Sequence, residues 1–271
     1  MSRPLRFLIV LTIGALVPAV GFAQSDTYKV HPLEGQPVAG KLGDITHDKV
    51  SLQTASGTKE FAVNEIKFVQ LPSEPRDLTE ARIAALDQND SRVLELIDKI
   101  PPPQLASEAI RQEVDYYRAM ANAQLALDGQ GDPAAAGKAL LAWLRANANS
   151  YHYYDANQTT GDLLVSLGRN DQAASYYNEI TSAPWPQFKQ RAAVSLGKAL
   201  QADGKHLDAI KQFDAALAID SKAKSADAQI VAAKIGKAKS LMELGDVKSG
   251  LQLVTEAIAK APPDDFRLQA D

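Results

Sequence analysis

Thr160-Gly-Asp-Leu-Leu-Val-Ser-Leu-Gly168, followed by Ala173 and Tyr177, is the stretch from which the fold is read. A second copy, Leu196-Gly-Lys-Ala-Leu-Gln-Ala-Asp-Gly204, is followed by Ala209 and Phe213. A third, Ala238-Lys-Ser-Leu-Met-Glu-Leu-Gly245, continues to Gly250, Val254 and Pro262. In each copy a small residue (Gly161, Gly197 or Ala238) stands seven positions before a turn glycine. Five positions past the turn comes another small residue, and four past that an aromatic or branched one. The physical reading is a helical hairpin. Gly161, Gly197, Ala173 and Ala209 remove bulk where two helices must approach closely. Tyr177 and Phe213 fill the space between one hairpin and the next. Gly168, Gly204 and Gly245 take the positive φ that a tight helix end demands.

This pattern resembles the tetratricopeptide (TPR) repeat, a pair of antiparallel helices of about 34 residues. A weaker fourth copy has its turn at Gly131-Asp132, its small contact at Ala136 and its filling positions at Leu140 and Trp143. A fifth, degenerate hairpin runs from Leu78 to Ile100, with its turn at Leu86 to Asp90. The resemblance covers residues 78–262. The anchors at 161, 197 and 238 are unevenly spaced, and the inserts around Trp185 and at 222–227 depart from the family's length. A generic antiparallel helical bundle is the alternative reading of the same periodicity. The resemblance implies a right-handed superhelix, a concave groove lined by the first helix of each pair, protein partners, and no chemistry of its own. Counted from the anchors, the groove positions are Arg118 and Asn122, then Asp155, Gln158 and Asp162, then Arg191, Ser195 and Lys198, then Ile235, Lys239 and Met242. The lysine–asparagine carboxylate clamp of chaperone-binding TPR domains is not reproduced. Arg191, Lys198 and Lys239 form a basic stripe that hints at an acidic ligand, against the plain reading of a solvated helix face.

Residues 27–71 read differently. Val38 to Leu42, Lys49 to Thr54, Lys59 to Val63 and Ile66 to Leu71 alternate with period two, and Gly43-Asp44, His47-Asp48 and Ala55-Ser-Gly57 supply turn signals between them. Val50, Leu52, Phe61 and Val63 are expected to face inward. Four or five short antiparallel strands of this kind resemble a small SH3-like barrel. Leu71-Pro-Ser-Glu-Pro75 ends the last strand, and 72–77 forms a linker. The predicted fold class is therefore mainly α: an antiparallel, TPR-like helical-hairpin solenoid preceded by a small antiparallel β-barrel or sheet module, and ending in a short tail at 263–271.

The first 23 residues have the layout of a secretory signal peptide. Arg3 and Arg6 precede an apolar run from Phe7 to about Val20, and Gly21-Phe-Ala23 offers small residues at the cleavage site. An uncleaved anchor is the alternative. No cysteine follows to accept a lipid, so the expected location is periplasmic or secreted, with no stable membrane span after cleavage. The chain has no cysteine at all, which excludes thiolate metal sites and cysteine nucleophiles. Net charge is −4, and −6 once Arg3 and Arg6 are removed, which argues against nucleic acid as a ligand.

No catalytic constellation is legible. The four histidines, His31, His47, His152 and His206, lack ligand partners at helical spacing. Asp87 to Asp90 lacks the glycine and distal glutamate of a calcium loop. Gly129-Gln-Gly131 follows a helical pattern, where a dinucleotide fingerprint requires a strand. No cofactor and no metal are expected. The expected role is a non-catalytic scaffold binding envelope proteins, with possible self-association through an exposed carboxy-terminal end. The alternative is a glycan or small-ligand module using the β-region and the tyrosine-rich patch Tyr151-His-Tyr-Tyr154.

Overall fold

A computed structural model describes residues 26–223 and 226–260. The expected signal peptide, Pro262 and the tail at 263–271 lie outside the described residues.

Among the described residues five strands come first: β1 (Tyr28–Pro32), β2 (Val38–Ile45), β3 (Lys49–Thr54), β4 (Gly57–Ala62) and β5 (Ile66–Gln70). They form one antiparallel sheet in the order β4-β3-β2-β1-β5, with a 3₁₀ turn at Val63–Glu65 before the last strand. Strand β2 serves two neighbours: Val38 to Gly40 pair with β1, while Lys41, Leu42 and Ile45 pair with β3. Gly43-Asp44, expected as a turn, therefore lies inside a strand. The glycine is there for close approach, since a Cβ at Gly43 would lie 2.6 Å from Ser51 Oγ. The alternating positions Val50, Leu52, Phe61 and Val63 are buried, joined by Val30 of β1, a strand whose short run did not stand out by period.

Among the described residues ten helices follow: α1 (Arg76–Leu86), α2 (Asp90–Asp98), α3 (Glu108–Leu127), α4 (Pro133–Ala146), α5 (Tyr153–Ser166), α6 (Asn170–Thr181), α7 (Pro186–Ala202), α8 (His206–Ala218), α9 (Ala226–Glu243) and α10 (Val247–Lys260). They pack as five successive hairpins in a TPR-like arrangement. The small anchors do what their size allows. A Cβ at Gly161 would collide with the Tyr177 ring, and one at Gly197 would lie 2.6 Å from the Phe213 ring. Phe213 also presses on Gly236 of α9, so it is wedged between two first helices, at glycine positions on both sides. Ala173 and Ala209 are fully buried. Gly168 (φ 69°), Gly204 (φ 71°) and Gly245 (φ 91°) end their helices as required.

One turn is corrected. Between α3 and α4 the left-handed residue is Gly129 (φ 77°), not Gly131. Gln130 N–H closes the helix end on Leu125 O at 2.7 Å, and Gly131 lies past it. The register of α3 thereby moves back by two residues.

Candidate functional site: the inner groove

Successive first helices pack directly on one another, α3 on α5, α5 on α7 and α7 on α9, whereas the second helices of neighbouring pairs have no comparable contact. The stack must curve toward its first helices, which places α3, α5, α7 and α9 on the inner face.

On α5 and α7 the anticipated residues come together. Gln158, Asp162, Arg191, Ser195 and Lys198 line one open cavity of about 380 Å³, with Tyr177, Val194 and Gln229. A ladder of hydrogen bonds links α5 to α7 at this cavity and beside it. Arg191 Nη2 donates to Asp155 Oδ1 at 3.0 Å, and Gln158 Nε2 donates to Ser195 Oγ at 2.9 Å and to Asp162 Oδ1 at 3.0 Å. Tyr177 donates its hydroxyl to the same Asp162 oxygen at 2.7 Å. Burial raises the Asp162 carboxyl above the usual carboxylate range, although the Tyr177 and Gln158 hydrogen bonds and the charge of Lys198 pull the other way. Burial, reinforced by Asp162, lifts the Tyr177 phenol strongly. Arg191 is stacked over Phe188, 4.7 Å from the ring centre, and neutralised by Asp155. The basic stripe is thus narrower than the sequence suggested: Lys198 and Lys239 are its exposed members. Lys239 stands on α9 outside this cavity.

Arg118 and Asn122 do not join the others. Arg118 is paired with Asp98 of α2, and Asn122 donates back to Arg118 O at 2.8 Å. With the turn at Gly129, the inner positions of α3 become Tyr116 and Met120. These line a second inner cavity of about 510 Å³ with Lys67, Arg82, Tyr117, Gln124, His152 and Asp155. Of the remaining inner positions, Ile235 is half-buried and Met242 is 40% exposed.

The tyrosine-rich patch is not an open surface. Tyr151, His152 and Tyr154 are buried, and Tyr151 with half-buried Trp185 completes the apolar core of the sheet. Tyr154 donates to Asp48 Oδ1 at 2.9 Å; burial and that bond push its phenol up to about 12. The patch joins the sheet to the helices, with Tyr151 and Tyr154 committed to packing at that joint.

A polar hub at this joint escaped sequence reading. Arg82 is fully buried between two carboxylates, Glu74 and Glu113, with Nη2 2.8 Å from Glu113 Oε2. Glu113 also accepts from Tyr151 at 3.1 Å and lies 3.0 Å from His152 Nε2, whose ring stacks on Tyr116 at 3.6 Å. Burial opposes ionisation of Glu113, but His152 and Arg82 outweigh it and hold the carboxyl at about 2. Glu74 caps the assembly by accepting from Leu71 N–H at 2.8 Å. The legible signal was a charge on an apolar helix face: Arg82 sits beside Leu78 and Ala81, and Glu113 between Ile110 and Val114.

Among the described residues no group of three or more His, Cys, Asp or Glu side chains could hold a metal ion, and no helix is long and apolar enough to cross a membrane.

Comparison with protein-family models gives no match, and comparison with curated proteins gives none either. Solved structures do match. MamA AMB-1 is 16% identical with a TM-score of 0.50, over 69% of this chain and 98% of its own. The MamA RS-1 ArsTM double mutant is 15% identical with a TM-score of 0.50, over 73% and 99%. YrrB, a TPR protein with an unusual peptide-binding site, is 18% identical with a TM-score of 0.47, over 72% and 89%. What the chain shares with the two MamA structures is the fold, a TPR-like stack of helical hairpins.

Proposed function

We propose that this chain is an exported, non-catalytic scaffold of the cell envelope that holds protein partners along its inner groove. One observation carries the reading. The inner helices expose a polar ladder and a cavity on α5 and α7, positioned by buried packing behind them, with no nucleophile, base and orienter assembled there. A surface built this way recognises side chains and backbone of a bound segment. Export is inferred from residues 1–23, and the periplasm or the exterior follows from it. The five-stranded sheet is read as an SH3-like module; β2 shared by two neighbours and the 3₁₀ turn before β5 support that reading. Because its apolar core includes Tyr151 of the helical region, its role is to brace the solenoid.

The test is affinity capture from an envelope extract, comparing the native chain with Lys198→Glu/Lys239→Glu. Both lysines are exposed, so the variant keeps its helical circular-dichroism spectrum. A partner held by the native chain and lost from the variant supports the groove. Partners held equally by both place the site elsewhere on the molecule, and the absence of any partner overturns the scaffold reading.

A further inference from the structure

Nine large hydrophobic side chains are exposed among the described residues, and five of them cluster at the carboxy-terminal end of the stack: Met242, Leu244, Val247, Leu251 and Ile258. Counting from the turn glycines Gly204 and Gly245, Val247, Leu251, Val254 and Ile258 of α10 correspond to His206, Ile210, Phe213 and Leu217 of α8. On α8 this is the face that receives α9: Phe213 is fully buried against Gly236, and Leu217 packs in the same cluster as Ala233. On α10 the same face is more aliphatic, yet Leu251 is 56% exposed. Helix α10 is thus shaped to receive one more first helix, and no described residue supplies it.

The opposite end of the stack has the complementary defect. Helix α1 closes at Gln88 (φ 56°), which matches Gly168 and Gly204. By that register Ile83 takes the place of Leu163 and Ala199, which α5 and α7 press against the preceding second helix and which are buried. Among the described residues no helix precedes Ile83, which is 50% exposed.

The charges at the two ends match as well. Where α7 docks on α6, the start of the second helix meets the end of the next first helix: Asn170 donates to Asp203 Oδ1 at 2.5 Å, and Lys205 Nζ to Asp171 Oδ1 at 2.9 Å. Counting from the turn residues, Val247 and Lys248 of α10 stand where Asn170 and Asp171 stand, and Asp87 at the end of α1 stands where Asp203 stands. Both Lys248 and Asp87 are exposed. Asp171 and Asp203 share Lys205 Nζ, at 2.9 and 3.1 Å, so the two positions lie one ammonium apart, and a copy of α1 seated on α10 in this register brings Lys248 and Asp87 within reach of each other beside the apolar stripe.

We propose that α10 is a self-assembly surface that receives α1 of a second copy of this chain, head to tail, continuing the order in which second helices already pack on first helices. Such a contact is heterologous and leaves a free end on each side, so it extends rather than closes.

Sedimentation velocity on the full chain tests this. The native chain is expected to show a sedimentation coefficient that rises over about a hundredfold increase in concentration, as a weak interface does. Leu251→Glu and Ile83→Glu, both at exposed positions, are each expected to lose that rise while keeping the native circular-dichroism spectrum. An equimolar mixture of the two is expected to recover dimers and nothing longer, because each variant retains one intact end. Association of Ile83→Glu alone to the native extent, or a mixture that stays monomeric, overturns the head-to-tail contact. A native chain that stays monomeric throughout overturns self-assembly and assigns the α10 face to another occupant.

Discussion

Glu113 brings a carboxylate into a place almost closed to water, and its ionisation there depends on Arg82, His152 and Tyr151 arriving from two other segments. Removing one side of such a group is costly because the other charge stays buried. Glu113→Gln is expected to lower stability by about 3–5 kcal/mol in urea unfolding; a loss below about 1 kcal/mol would show that the hub behaves like an exposed pair. The sign of the pH dependence follows from the depressed carboxyl. Its folded value lies near 2, below the ordinary 4.5, so its contribution is complete above about 4.5 and disappears as pH falls toward about 2. Urea midpoints measured from neutral pH downward should therefore begin to drop in the acid range, and Glu113→Gln should flatten that drop. At this scale the sequence was half legible. The anchors Gly161 and Gly197 announce themselves because a missing side chain has one use there. The hub around Arg82 does not, since Glu113 lies 31 positions away and His152, which meets Glu113, comes from a turn.

Helix pairs are where periodicity is most informative, because the spacing of small residues reports a contact made within one hairpin. Gly197→Ala makes the point quantitative. Alanine ordinarily favours a helix over glycine by about 1 kcal/mol, but here its Cβ would meet the Phe213 ring at 2.6 Å. Overpacking of this kind costs about 1–3 kcal/mol, so Gly197→Ala is expected to destabilise on balance. Adding Phe213→Leu should recover part of the loss, a coupling readable in a double-mutant cycle of urea midpoints; additive losses would refute the contact. The errors at this scale have one cause. Two glycines close together, Gly129 and Gly131, offer two turns, and only backbone closure selects the first. That choice moved the inner face of α3 from Arg118 and Asn122 to Tyr116 and Met120. Likewise, Gly43 serves a close strand approach in β2, which a sequence cannot distinguish from a turn.

Across the whole molecule, the sheet and the helices share a core through Tyr151 and Trp185 and a hydrogen bond from Tyr154 to Asp48, residues 106 positions apart. No local pattern encodes such a pairing, which is why the aromatic run at Tyr151 to Tyr154 looked like a candidate surface. A chain beginning at residue 72 should therefore unfold at lower temperature than the intact chain and bind more of a hydrophobic dye, as newly bared aromatics would. Equal melting temperatures would show that the sheet is an independent appendage. The same joint has a mechanical consequence. A stack whose first helices touch while its second helices stand apart behaves as a spring, hinged along the inside and compliant along the outside. The sheet clamps this spring at the starts of α5 and α7, through Tyr151, Tyr154 and Trp185. Nothing among the described residues clamps α8 to α10 in that way, so that end of the groove is held by helix-on-helix packing alone.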